Sequence, residues 1–171
     1  MAGYGDKPFG LHQVKIKKGT TIAALPVSQT LKFGERTKSA ELQGDDRIKA
    51  VNSIVEAVEF ELEAGGISLE AYALMTGREV VVAGTTPAET TTLTGSAGDN
   101  FPYFQIFGQV LGEGDDDIHC KLYKCKLTAG VEGDFKGGEF FVTKLKGVAI
   151  DDGVNGIWDF VQNETAADLP E

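Results

Sequence analysis

The chain has 171 residues, a formal net charge of −10, 22 glycines and two cysteines. A chain of this length makes one domain that buries roughly 70% of its unfolded surface, so it needs no disulfide or metal staple, and it has neither the apolar core of a signal peptide nor a run long enough for membrane insertion. Charge is unevenly spread, +4 over residues 1–49, −11 over 50–120 and −3 over 121–171, a layout that fits self-complementary surfaces as well as plain solubility.

Alternating apolar residues predict strands at Leu11–Lys17, Ile22–Val27, Thr30–Thr37 and Ser39–Gln43. Gln43 to Ser53 (QGDDRIKAVNS) then joins two strands by more residues than a hairpin needs, so a long inter-strand loop is expected at 43–53. The next strand, Ile54–Ala64, is the most informative. Its even positions read Ile54, Glu56, Val58, Phe60 and Leu62, while Glu59, Glu61 and Glu63 form an acidic row at odd positions. That is a strand buried on one side, and crowding like charges on its other side is mildly unfavourable unless the face has a use. Gly65-Gly66 breaks the pattern, and Ser68 is placed to cap a short helix with Leu69, Tyr72 and Ala73 on one face before Gly77 closes it.

Thr85–Asn100 (TTPAETTTLTGSAGDN) reads as a Thr-rich solvent loop or a weak extra strand. Strands follow at Tyr103–Leu111 and Ile118–Thr128, joined by a charged hairpin loop at Gly112–Asp117. Cys120 and Cys125 share the second of these strands, where five residues span about 16 Å and put the thiols on opposite faces, beyond disulfide reach. They read as reduced structural thiols, and His12 and His119 as side chains on polar strand faces. The last strands are Phe140–Ile150 and Ile157–Gln162, around a tight turn at Asp151–Gly156, and the polar tail 164–171 is expected to be flexible unless a neighbour holds it. The sum is a mainly β domain, 1–171, with one helix.

Catalytic chemistry is hard to find. The sequence contains no G-x-S-x-G, H-E-x-x-H or G-x-x-x-x-G-K-[ST]. Asp151–Gly156 fails as a calcium loop because Gly153 stands at the third position and Gln162 where a bidentate Glu belongs. Glu59 and Glu61 lie about 7 Å apart, a glycosidase-like separation, yet the sole tryptophan, Trp158, is far along the chain and no aromatic cleft flanks them. The acidic middle also argues against nucleic-acid recognition. No enzyme activity, cofactor or metal is expected.

The order of elements, with AELQGDD at 40–46, the strand and helix at 57–77 and FFVTKLKGVAIDD at 140–152, resembles the major tail tube proteins of long-tailed, siphovirus-like bacteriophages, over about Gly10 to Asp152. The resemblance implies a β-sandwich or split barrel with one flanking helix. It also implies hexameric rings that join sheets edge to edge into a ring-wide barrel, and that stack head to tail into a hollow conduit for the genome. Implied partners are further copies of the chain, a tape-measure protein in the lumen, tail terminator and distal tail proteins, and DNA passing without sequence-specific binding. The implied location is the virion tail, assembled in the host bacterial cytoplasm.

On that basis Glu59, Glu61 and Glu63 are expected to line the channel as stacked circles of negative charge that let DNA slide, with the even-numbered apolar residues packed beneath the helix. Asp45, Asp46 and Arg47, with the apolar Ile48 and Val51, are the expected contact between stacked rings. Two other readings compete. One is the tube or ring component of a contractile injection or type VI secretion-like system. The other is a monomeric β-sandwich binding module, which requires an exposed aromatic cluster that only Tyr103, Phe104 and Phe107 approach.

Overall fold

The computed structural model describes residues 9–66, 68–112 and 114–169. Strands β1 (Gln13–Lys18) and β2 (Thr21–Leu25) form a hairpin, and β3 (Ser28–Gly44) and β4 (Arg47–Gly65) form a much longer one. Helix α1 (Leu69–Thr76) and a small hairpin of β5 (Val80–Ala83) and β6 (Thr90–Leu93) follow. The remaining strands are β7 (Phe104–Leu111), β8 (Asp117–Leu127), β9 (Glu132–Gly133), β10 (Val142–Ala149) and β11 (Trp158–Asn163). One antiparallel sheet runs β2-β1-β7-β8-β10-β4-β3, with β11 added on β8 and β9 on β10. The class is the expected one, mainly β with one short helix.

A change of partner along β8 turns this sheet back on itself. Asp117–Leu122 pairs with β11, whereas Cys125–Leu127 pairs with β10. Between them the register with β7 shifts by one residue, from Ile106↔Leu122 to Phe104↔Cys125. A bulge of this kind bends a strand and raises its twist. The outcome is consistent with a β-sandwich: β3 crosses the far layer, Leu31 lies against Gly108 of β7, and Phe33 meets Trp158 and Phe160 of β11 at 6.1 and 5.4 Å between ring centres. Val14, Ile16, Ile106 and Leu122 from one layer and Val58, Phe60, Leu62 and Leu145 from the other are buried between them.

The helix forms where expected and for the expected reasons. Ser68 Oγ accepts from Ala71 N at 3.3 Å, and Gly77, at φ 74°, donates its N–H to Ala73 O at 2.8 Å. Its buried face is Ala71, Tyr72 and Met75, rather than the expected Leu69, Tyr72 and Ala73, and it packs on β1 and β2. The Tyr72 hydroxyl meets Thr143 Oγ1, which donates to Ala64 O, tying helix, β10 and β4 together.

Several expectations change. The loop expected at 43–53 is strand on both sides of a two-residue turn, Asp45-Asp46, and the separate strands 30–37 and 39–43 are one. Both turn residues have positive φ, 53° and 59°, as a tight I′-type hairpin turn demands, and Asp tolerates that region. The Thr-rich segment does hold an extra strand, β6. The tail is not loose: Ala166 donates to the Asp115 carbonyl in the β7–β8 loop, and Ala167 and Leu169 are hydrogen-bonded to Asp117 and Lys15 of the sheet, while residues 170 and 171 lie outside the described residues. His119 is buried rather than on a polar face. The register shift in β8 cancels the parity argument for the cysteines, and both are buried free thiols, with Cys120 pushed up to about 12 by desolvation.

Candidate functional site

Beyond the body, β3 and β4 continue as a bare ribbon. Glu56 is an extra residue between the pairs Arg36↔Ala57 and Thr37↔Val55, and this bulge marks where the ribbon leaves the sandwich. Arg36 braces the junction, 3.9 Å from Glu56 and 3.6 Å from Glu59. Every residue from Arg36 to Glu56 except Gly44 is exposed. The free length is roughly 25 Å at a strand's rise per residue.

Residues opposite each other in an antiparallel pair share a face. Ala40, Leu42, Ala50 and Ile54 therefore lie on one face of the ribbon, and Ile48, Val51 and Val55 on the other. Leu42, Ile48 and Val51 are 64%, 56% and 61% exposed. A two-stranded ribbon alone in water is marginally stable, and apolar groups on both faces call for cover on both. The predicted contact residues are grouped here: Asp45, Asp46 and Arg47 at the turn, with Ile48 and Val51 along one face. Lys49, the extra residue of a second bulge, reaches Asp45 at 3.4 Å. Leu42, Ile54 and Val55 were missed. All three lie in stretches read as strand, and nothing local shows that neither face of those stretches is covered.

Glu59, Glu61 and Glu63 do share the outer face of the β10-β4-β3 layer, opposite the buried Val58, Phe60, Leu62 and Ala64. Ile54 does not join the buried set; it is in the ribbon and exposed. The acidic row is not bare. Register sets Lys146 beside Glu61 and Lys144 beside Glu63 on β10, and Lys32 beside Glu61 on β3. Lys144 Nζ lies 2.8 Å from Glu63 and Lys146 Nζ 3.3 Å from Glu61. The hydrogen bond from Lys144 holds the Glu63 carboxyl below its ordinary value, and Glu63 raises Lys144 in return. The repulsion inferred from one strand is thus relieved by its neighbours, which set Lys144 and Lys146 on one side of the row and Lys32 on the other. Farther out, Lys124 and Lys126 each stand 5.2 Å from the Tyr103 ring centre.

Between these rows lies a shallow concavity of about 560 Å³, floored by Gly34, Phe60 and Gly147 and walled by Lys32, Glu59, Glu61, Thr128 and Lys146. Of its charged groups, Glu61 is paired with Lys146 and Glu59 with Arg36, and Glu35 accepts from Trp158 Nε1, with no histidine or thiol among its lining. Among the described residues no group of three or more His, Cys, Asp or Glu is placed to hold a metal ion, and no helix is long and apolar enough to cross a membrane. Phe104 and Phe107 are buried, at 2% and 5% exposure, so with Tyr103 they make no aromatic binding face. A different aromatic group is exposed, Phe140 beside the stacked pair Phe135 and Phe141, whose ring centres are 4.2 Å apart.

No family model matches the chain, and no curated protein matches it significantly.

Proposed function

We propose that this protein is a structural subunit that assembles with copies of itself into rings stacked as a hollow tube, as its resemblance to phage tail tube proteins implies. One observation carries this reading: the ribbon of residues 36–56, ordered into paired strands, apolar on both faces and covered on neither. A monomer gains nothing from such an element, and natural sheets blunt long exposed edges rather than extend them. Among the described residues β3 pairs only with β4, so its other edge is left open along the element. Edge-to-edge pairing of copies would satisfy it, and head-to-tail stacking through the ribbon would give an unclosed, heterologous contact that grows as a filament.

In that assembly Glu59, Glu61 and Glu63 face the channel, alternating with Lys32, Lys144 and Lys146. A wall of paired charges offers passing DNA few free cations and so releases few counterions, which keeps DNA mobile. The tape-measure protein, tail terminator, distal tail proteins and virion location belong to this proposal as well. Negative-stain microscopy of the concentrated protein tests it. Hollow filaments or rings are expected; a protein that stays monomeric up to high concentration is not such a subunit.

A further inference from the structure

The segment after β11 lies on a built polar slot on the outer face of the other layer. Asp117 is fully buried at the start of β8. Its Oδ1 accepts from Asn163 Nδ2 at 2.7 Å, and its Oδ2 from Gln109 Nε2 at 2.6 Å, His119 Nε2 at 2.8 Å and the Ala167 N–H at 3.1 Å. Gln109 and His119 also donate to the Ala167 carbonyl, at 2.9 and 3.0 Å. Both neighbours of His119 Nε2 are acceptors, so that nitrogen carries the hydrogen. Lys15 Nζ donates to Leu169 O at 3.2 Å, and Leu169 is 1% exposed. Lys15 is the register partner of Phe107, a buried side chain outside the main core, as Leu169 is.

The slot therefore reads one residue by both its N–H and its C=O, a second carbonyl, and one leucine side chain. Recognition through main-chain bonds plus a single apolar anchor is how peptide grooves work. Without the segment, buried Gln109, Asp117 and His119 would lose partners, which is costly. Burial pushes the Asp117 carboxyl up, but bonds from Gln109, Asn163, Ala167 and His119 outweigh it and hold it below its ordinary value. Only Glu164 and Thr165 separate β11 from the docked residues, and short hinges of this kind favour exchange between copies.

We propose that the surface formed by Gln109, Asp117, His119 and Lys15 is a peptide-binding slot that takes residues 166–169 from a second copy as well as from its own chain, linking subunits by segment exchange. The exchange rests on the self-assembly reading; the slot does not. The test uses the full chain carrying Ala167→Pro and Leu169→Asp, which removes the N–H and the apolar anchor. A labelled peptide of residues 164–171, ETAADLPE, should bind this variant saturably by fluorescence anisotropy. Wild type, its slot already filled, should bind about tenfold more weakly or worse. Leu169→Asp alone serves if the double variant does not fold. A folded variant that ignores the peptide overturns the slot. With concentrated wild type, excess free peptide should lower the oligomer mass by light scattering. Peptide binding with an assembly that ignores the peptide overturns the exchange alone, whereas a monomer at every concentration overturns it together with the assembly reading.

Discussion

Gly147 illustrates how one residue sets the contact between β10 and its neighbours. It faces the interior, and a Cβ there would stand 2.4 Å from both the Phe60 ring and the Lys126 carbonyl oxygen. Phe60 in turn packs edge-on against Phe104, with ring centres 6.2 Å apart, so it has little room to retreat. Gly147→Ala should therefore destabilise the fold by about 1–3 kcal/mol, the usual cost of overpacking, measured by chemical denaturation. An unchanged midpoint would mean that Phe60 finds another rotamer. Single-residue logic of this sort was not available from the sequence, where Gly147 is one glycine among 22.

At the scale of the element, the proposed assembly would make the β3–β4 ribbon an element that separates folding from association. Its apolar residues contribute little to the body, so Ile48→Asp with Val51→Asp should leave thermal stability of the monomer within about 0.5 kcal/mol, as exposed substitutions do. The same pair should abolish higher-order assembly in size-exclusion chromatography with light scattering. Loss of the fold would instead show that the ribbon packs on its own body. The sequence offered half of this element. Alternation revealed Ile54 to Ala64 and the strands at 30–37 and 39–43, while residues 43–53, which have no buried side, read as loop. The Asp45-Asp46 turn lacks the Asn-Gly or Asp-Gly signature that would have announced the hairpin.

For the whole molecule, the class, the helix with its caps and most strand positions were legible, because each follows from local rules of capping and period-two burial. The pairing of the glutamate row was not. Lys144 and Lys146 alternate visibly in VTKLK, but only the topology sets them beside Glu63 and Glu61. The buried polar slot was hidden for the same reason, since Gln109, Asp117, Asn163 and Ala167 come from four separate stretches. This balance of forces makes a prediction about salt. At about 1 M NaCl the screening length falls to about 3 Å, so exposed ion pairs fade while apolar contacts persist. Assemblies held by the ribbon should survive that salt in light scattering; dissolution would point to the charged sheet face as the joint.

The sequence distance of each pairing also orders events in time. β3 and β4 meet across a two-residue turn, whereas β1 waits for β7 and β4 for β10. Hairpins close in microseconds, and distant pairings must first overcome the entropy of long loops. The ribbon can therefore exist on a growing chain before the sandwich that should aim it. If the proposed assembly holds, a nascent copy would then expose its contact arm early, and dilute synthesis would favour correct assembly over random entanglement.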